Sequence, residues 1–313
     1  MKTLLFLFLL IFNCQVFAQS DTIAEIYYDK IILYSDVGYY SCPFNVNVDQ
    51  IGTLNYRNNI KPFVGIGVNY KWGSLRIGSL INYNLKGLEN YSYTKIFKIG
   101  TEFFYKRFLF DLSYYKLSGY TLINDLISNS NTYTKYPNLS FQTSSVNTWF
   151  FINKNFSHYA LKGIKQAVRK NNWTIYLKNT NAITLLKDNS PILPSSIINK
   201  LNSSSVNFND LKAFEIGILS GVAIAFRIKQ NFQIGGMFGY GGVLIDRTLH
   251  NSQHNRNLIG LSPRYDFHIY AGYNKKKFFI MNYLDLEQRK IEFTDFEINS
   301  RLISYRLVGG YRF

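Results

Sequence analysis

Cysteine is almost absent from this chain, which has two in 313 residues, Cys14 and Cys42. Cys14 lies in an amino-terminal segment with the pattern of a removable secretory signal. Removal of that segment would leave Cys42 alone, and one thiol cannot form an internal disulfide. The chain is therefore not a disulfide scaffold, and other interactions must stabilise its fold.

The signal pattern has a positive residue, a short apolar run and the small residue Ala18 ahead of Gln19. We expect cleavage between Ala18 and Gln19, so that residues 1–18 form the signal and residues 19–313 form one domain. A lipoprotein site at Cys14 is the alternative. The bulky and polar residues that precede Cys14 argue against it, because lipoprotein processing favours a small residue there.

Long apolar runs and acidic residues are also scarce. Beyond the signal there is no run of about 18 apolar residues, which excludes membrane-spanning helices. The chain has 35 basic and 19 acidic residues, a formal net charge of +16. Nucleic-acid binding is a common reason for such a charge, but an exported protein does not meet nucleic acid. We expect attraction to the phosphates of outer-membrane lipids instead.

Aromatic residues, in contrast, are abundant. The chain has 25 Tyr and 26 Phe, and 47% of its residues are hydrophobic, yet its mean hydropathy is −0.09. A transmembrane β-barrel has this combination, because its outer face is apolar, its interfaces carry aromatic girdles and its lumen is polar. The composition therefore favours an all-β barrel located in the outer membrane of a Gram-negative bacterium.

Alternating apolar and polar residues predict antiparallel strands of roughly ten residues joined as hairpins. Short basic turns, such as residues 106–107 and 274–276, separate some of them, and longer polar segments separate others. The candidate strands are 28–41, 60–71, 74–85, 94–106, 107–121, 140–153, 155–166, 172–183, 211–228, 231–247, 258–273, 277–290 and 299–313.

This set is odd in number, whereas bacterial single-chain barrels have an even number of strands. Either residues 28–41 lie outside the wall, or residues 184–210 contain one more strand. We predict the first arrangement, a transmembrane antiparallel up-and-down β-barrel of about twelve strands, with about 10–14 as the range.

The last candidate strand has a strict alternation that ends in Tyr311 and Phe313. In outer-membrane barrels a closing strand with a terminal Phe is the feature that the barrel-insertion machinery reads. We therefore expect Tyr311 and Phe313 to contact that machinery, and Arg306 to face the lumen.

Several short motifs resemble a known family. They are the run from Asn155 to Ala160, the segment from Trp173 to Lys178, the pair Asn58-Asn59, the glycine and aromatic pattern from Gly65 to Trp72, and the Gly-rich block from Phe214 to Gly242. Together they resemble an uncharacterised family of Bacteroidetes outer-membrane proteins, described as a domain of unknown function. The resemblance implies a barrel over nearly the whole mature chain, and it implies no catalytic residues.

Ionisable residues on the polar face of the strands are the candidate site, because function in a barrel concentrates in the lumen. The primary set is Arg264, Asp266, His268, Asp285, Glu287 and Arg306. Residues at the alternating positions that face the same way on these and other strands are Arg76, Lys98, Glu102, Asp111, Glu215, Arg227, Arg289 and Arg312. These charges of both signs either pair and fill the lumen or line a narrow wet pore.

A lipid-acting enzyme is a third possibility, with His268 as the base and Asp266 or Glu287 orienting it. No nucleophile-elbow, zinc-protease or phosphate-loop motif is present, so we predict no catalytic residue, metal or cofactor. His250 and His254 lie in a predicted loop, where their spacing does not form a metal site. The sequence leaves the activity open.

Overall fold

The computed structural model describes residues 24–49, 51–81, 90–123, 133–201, 208–250 and 255–313. The predicted signal, its cleavage site at Ala18 and Gln19, and His254 lie outside these ranges. Within them, none of the helices has the length and hydrophobicity needed to cross a membrane.

Most of the described residues form strands. In chain order the elements are β1 (Ala24–Ile26), β2 (Ile32–Ser41), β3 (Phe44–Val48), β4 (Gly52–Asn58), β5 (Pro62–Tyr70), β6 (Gly73–Leu80), β7 (Lys95–Tyr105), β8 (Phe108–Leu122), β9 (Thr134–Phe151), α1 (His158–Lys162), β10 (Gln166–Val168), β11 (Asn172–Lys187), α2 (Ser195–Leu201), β12 (Asp210–Lys229), β13 (Phe232–His250), β14 (Asn255–Asn274), β15 (Phe278–Glu292) and β16 (Phe296–Arg312).

These strands close into an antiparallel ring. The ring runs β2, β5, β6, β7, β8, β9, β11, β12, β13, β14, β15 and β16, and β16 pairs back to β2. Its twelve strands confirm the predicted transmembrane up-and-down barrel. β1 and β10 form a separate small pair.

Two parts of the strand prediction were wrong, and their errors cancel in the count. Residues 28–41 were placed outside the wall, but β2 lies in it, between β16 and β5. Residues 155–166 were predicted as a strand, but they contain α1. Their apolar residues Phe156, Tyr159 and Leu161 do not keep the period of two that a wall strand requires.

The wall narrows towards one end. β6 and β7 stop at Leu80 and Lys95, and above them β4 pairs directly with β8. β3 continues along β16 where β2 ends, after an interruption at Cys42 and Pro43. Where β4 pairs with β8, the described ring therefore lacks β6 and β7. We call this the loop end, because the longer connections of the chain lie there.

The opposite end, the turn end, has short connections except for residues 152–171 between β9 and β11. β5 and β6 are joined by Lys71-Trp72, and β7 and β8 by Lys106-Arg107. Lys71 and Lys106 have φ angles of 47° and 54°, in the left-handed region that tight hairpin turns use. Short turns at one end and longer connections at the other are typical of transmembrane barrels.

Apolar side chains cover the outside of the ring and also fill its loop end. Outward residues such as Ile218, Phe238 and Leu307 are exposed, as a lipid-facing belt requires. Inside the loop end lies a second apolar region, which we call the loop-end core. Its members include Phe44, Tyr56 and Phe296, with Ile197 of α2.

Candidate functional site: the charged lumen and its plug

Below the loop-end core, the lumen is filled by charged side chains. An Arg–Glu quartet lies directly beneath the core, and it consists of Glu215 on β12, Arg264 on β14, and Glu287 and Arg289 on β15. Arg264 bonds both Glu215 and Glu287. Arg289 contacts the same two carboxylates at 3.4 and 3.1 Å. Each charge therefore has two partners of the opposite sign, which compensates for the loss of water.

A second chain of contacts crosses the lumen at the level of His268. Lys178 Nζ lies 2.6 Å from Asp266 Oδ2, and His268 Nε2 lies 3.8 Å from the same oxygen. His268 Nδ1 contacts Asp285 Oδ1 at 2.8 Å. Asp285 Oδ2 accepts hydrogen bonds from Ser304 and Arg306, both at 2.9 Å. The chain joins strands β11, β14, β15 and β16 through alternating charges.

Further pairs lie on the side of the short strands. Arg76 on β6 donates two hydrogen bonds of 2.7 Å to Asp36 on β2, a bidentate geometry that fixes both side chains. Lys98 donates to the Tyr40 hydroxyl at 3.1 Å. Glu102 on β7 pairs with Lys162 of α1. Charged residues of the wall thus reach both their neighbours and the helix inside.

The segment between β9 and β11, residues 152–171, folds into the lumen at the turn end, and we call it the plug. It contains α1, which the side chain of Ser157 caps by accepting from Ala160 N at 3.2 Å. Gly163 ends the helix with φ 73°, a conformation that favours glycine. The sequence between these two signals is too short for a stable isolated helix, so tertiary contacts must hold it.

Wall residues bind the carbonyl groups of the plug. Arg312 donates to Gly163 O at 2.7 Å and to Ile164 O at 2.9 Å. Asn274 also donates to Gly163 O, at 2.8 Å, and Tyr283 donates to Lys162 O at 2.6 Å. These donors satisfy the carbonyl groups that a helix leaves unpaired at its carboxyl end. β16, the last strand, therefore pins the plug through Arg312.

Two basic groups of the plug are buried away from solvent. Burial lowers the pKa of His158 well below its ordinary value, because its charged form would lose hydration and Lys162 is near. Burial likewise lowers the pKa of Lys165 to about 7. Lys165 Nζ donates to Gly73 O at 2.9 Å. The plug therefore carries fewer charges at neutral pH than its sequence suggests.

A cavity of about 190 Å³ remains between the plug and the quartet. Its lining mixes charged, polar and aromatic side chains, among them Lys98, Asp111, Asn147 and Trp149. Asn147 accepts from Thr180 at 2.8 Å and donates to Asp111 at 3.4 Å. The cavity has room for a few water molecules.

All six residues of the primary predicted set have their charged groups in this lumen: Arg264, Asp266, His268, Asp285, Glu287 and Arg306. Arg227, which belongs to the additional predicted set, does not reach the lumen. Arg227 lies at the turn-end rim, where it donates to the carbonyl oxygens of Arg169, Lys229 and Gln230. The prediction failed there because β12 ends within two residues of Arg227 and its register with β13 shifts.

The sequence-based set missed charged residues on four elements, and one of these residues is Arg247 on β13. Asp36 was missed because β2 was placed outside the wall, and Lys162 and Lys165 because the plug was predicted as a strand. Lys178 lies on β11, where its alternation with Leu177 gives the same signal as on the other strands. That signal could have identified it.

The geometry around His268 limits the chemistry that it can perform. Its Nδ1 faces Asp285 and its Nε2 faces Asp266, so both ring nitrogens point to carboxylates. In acyl transfer, the ring nitrogen that does not contact the orienting carboxylate must activate a hydroxyl or thiol.

Within the described ranges, no three His, Cys, Asp or Glu side chains are arranged to hold a metal ion.

Solved structures with a similar arrangement are outer-membrane barrels. The outer membrane protease OmpT from Escherichia coli matches with a TM-score of 0.41 and 10% identity, covering 96% of this chain and 100% of OmpT. The translocator domain of the autotransporter NalP from Neisseria meningitidis matches with a TM-score of 0.43 and 12% identity, covering 91% of this chain and 88% of that domain. A Pseudomonas aeruginosa FadL homologue matches with a TM-score of 0.30 and 9% identity, covering 90% of each chain.

At such low identity these structures assign no residue a role, and no curated protein matches the chain. A family model does match it, over residues 21–313, which include every strand and the plug. The chain belongs to the family described as domain of unknown function DUF4421.

Proposed function

We propose that this protein is a closed, structural barrel of the bacterial outer membrane, whose packed lumen prevents free passage of solutes. The proposal rests on the three groups of residues that fill the lumen one after another along the barrel axis. The loop-end core, the Arg–Glu quartet and the plug follow one another, with a cavity of about 190 Å³ between the last two. A conducting pore requires a continuous wet path instead.

The pairing of the charges supports a structural role over a selective pore. Selectivity is usually produced by a ring of charges of one sign that faces passing ions. Here Arg264 and Arg289 are each shared between Glu215 and Glu287, and Arg76 is bidentate on Asp36. Side chains held in this way link adjacent strands, such as β14 and β15, and strands separated by one other, such as β12 and β14, and they oppose a change of register.

The location is part of the proposal. Outer-membrane lipids would contact the apolar belt, and the barrel-insertion machinery would contact β16. Tyr311 and Phe313 support the second contact, because they are 42% and 64% exposed on the outside of the wall. Their ring centroids lie 4.9 Å apart, so they form one aromatic patch.

Planar-bilayer recording tests the closed state. The purified barrel should insert without producing stable conductance steps. A variant in which a short Asn-Gly turn replaces residues 153–171 removes the plug but keeps the quartet and the loop-end core, so any conductance that it gains measures the contribution of the plug to closure. Stable steps from the wild-type protein at low voltage would contradict the proposal. Heat-modifiable migration on gels confirms that both proteins are folded.

A lipid-acting enzyme is the second candidate, and one contact favours it. His268 Nδ1 lies 2.8 Å from Asp285 Oδ1, the distance at which a carboxylate orients a catalytic base. Asp285, rather than Asp266 or Glu287, would be the orienting residue. Replacing His268 with Ala should alter the membrane lipid profile if this candidate is correct. An unchanged profile would count against it.

A further inference from the structure

In the described part of the wall, the neighbouring long strands β14 and β15 are not paired along their full length. β14 pairs with β13 without interruption from Tyr273 to Asn255. Its pairing with β15 begins at Asn274 and ends at Tyr265, opposite Gln288. Beyond that point, the same register would place residues 256–264 of β14 opposite residues 289–297, which are the end of β15, its turn and the start of β16, but no ladder forms there. We call this region the seam.

Pro263 explains why the ladder stops. Asn274 N–H donates to Asn231 O on the β13 side, so even-numbered residues of β14 point their N–H groups to β13 and odd-numbered ones point to β15. In the register of Tyr265 with Gln288, Pro263 would lie opposite Lys290. Proline has no N–H to donate, so the Lys290 carbonyl loses its ladder partner. The Ser262 hydroxyl donates to that carbonyl instead, at 2.9 Å.

A second side-chain contact closes the far end of the seam. Arg256 Nη1 lies 2.7 Å from Asp295 Oδ2. Between Ser262 and Arg256 the seam spans ~20 Å of strand, from the usual rise per residue. Gly260 lies midway, and it places no side chain in the gap. Side chains therefore hold the seam at both ends, and we call the stretch between them, which has no ladder hydrogen bonds, the window.

Arg247 lies behind this window. Its side chain projects inward from β13, over Gly260, where an added Cβ would lie 3.0 Å from Arg247 Nη1. Its guanidinium lies 5.3 Å from the ring centre of Phe293. Arg247 is only 8% exposed, and its Nε has no hydrogen-bond partner. The other inward arginines of this region, Arg264 and Arg289, bind carboxylates, whereas Arg247 has no carboxylate within ion-pair distance among the described residues.

The outside of the window is strongly apolar on its β14 side. Ile259 and Leu261 are 70% and 75% exposed, among the highest values of any large apolar side chain of the wall. On the β15 side the outward residues are polar, and Lys290 pairs with Glu292 and Glu297. An acyl chain fits the apolar surface that Ile259 and Leu261 form.

We propose that the seam binds a membrane amphiphile with an anionic headgroup, whose oxyanion reaches Arg247 and whose acyl chain lies against Ile259 and Leu261. The recognised group is a carboxylate or phosphate on an acyl chain. This group supplies an acceptor for Arg247 Nε, which has none among the described residues, and a buried guanidinium gains most from such a charge-assisted bond. The proposal is independent of whether the barrel conducts solutes.

Photo-crosslinking tests the proposal in the intact barrel reconstituted in phosphatidylcholine vesicles. One arm contains a diazirine-bearing fatty acid and a second contains a diazirine-bearing phosphatidic acid, which separates the carboxylate source from the phosphate source. A diazirine-bearing phosphatidylcholine is the uncharged reference. We expect at least one anionic probe to label the seam in preference to the rest of the belt.

Arg247→Gln should reduce this labelling about tenfold, the effect of losing one charge-assisted hydrogen bond. Arg247→Lys should retain part of it. Arg301→Gln is the matched control, because Arg301 is an exposed arginine on the outside of β16. It should leave the labelling unchanged.

Pro263→Val tests the window itself, because valine restores the missing N–H and favours strand pairing. It should reduce seam labelling with Arg247 still present. Equal labelling around the belt, or equal seam labelling in the wild type and Arg247→Gln, would overturn the proposal. If Arg247→Gln does not give a heat-modifiable folded band, Arg247→Lys and Pro263→Val replace it. Seam labelling equal to that of the wild type in both variants would then overturn the proposal.

Discussion

At the loop end the barrel interior is packed by apolar side chains such as Phe44, Tyr56 and Phe296, whereas below Glu215 it is packed by paired charges and the plug. The difference follows the width of the wall. Where β6 and β7 have ended, β4 joins β8 and the described ring is narrower, so side chains from the wall and α2 fill it. The full ring is wider, and long arginine, lysine and glutamate side chains with an inserted segment are needed to span it.

The comparison shows that one barrel can close its interior in two ways. Apolar packing depends on volume and tolerates the loss of an individual contact in proportion to the cavity that is left. The charged region depends on complete pairing, because each buried charge is costly once its partner is removed. The two regions should therefore respond differently to substitution.

The largest effect is expected in the charged region. Arg264→Met leaves Glu215 and Glu287 with Arg289 as their common partner, and should lower the free energy of unfolding by about 3–5 kcal/mol. Urea unfolding in phospholipid vesicles measures it. Arg301→Met, on the exposed outside of β16, should cost less than about 0.5 kcal/mol. Equal costs for the two variants would contradict the proposed importance of the quartet.

The loop-end core should respond to volume instead. Phe44 is 1% exposed and stacks on Tyr56 at 4.6 Å between ring centroids. Phe44→Ala should cost about 3 kcal/mol, and Phe44→Leu, which keeps most of the volume, less than about 1.5 kcal/mol. The same unfolding experiment measures both. A Phe44→Leu cost as large as that of Phe44→Ala would show that volume is not what this region requires.

The plug should show an effect that depends on pH, unlike the two effects above. Burial lowers the pKa of Lys165 to about 7, whereas the unfolded chain keeps an ordinary lysine. Between about pH 7 and pH 10 the unfolded state therefore binds more protons, and the contribution of Lys165 to stability rises with pH. Lys165→Met removes this titration. The difference in unfolding free energy between wild type and Lys165→Met should grow in favour of the wild type from pH 7 to pH 10, and a constant difference would contradict the burial of a neutral lysine.

The sequence predicts the long strands better than it predicts the interior. In β14, β15 and β16 the alternation is regular, and a period of two places Arg264, Glu287 and Arg306 on one face. The same rule failed for residues 155–166, because α1 is stabilised by Arg312 and Asn274, which are distant in sequence. The rule did predict residues 28–41 as a strand, but the odd number of candidates, which included residues 155–166, led us to place that strand outside the wall.

The partners of the lumen charges are a further part that sequence could not supply. Glu215 and Arg264 are 49 residues apart and lie on strands separated by β13. Their contact depends on the curvature of the ring and on the length of the arginine side chain. The alternation pattern gives the face of each residue, but it does not give the distance across the lumen.

Labelling of Cys42 tests most directly whether the interior is packed as described. Cys42 is 1% exposed within the loop-end core, and its carbonyl accepts from the Tyr120 hydroxyl at 3.1 Å. With the predicted signal removed, Cys42 is the remaining thiol. We expect N-ethylmaleimide to label Cys42 only as the heat-modifiable folded band is lost. Labelling of the folded band at the rate seen in the urea-unfolded chain would contradict a packed lumen.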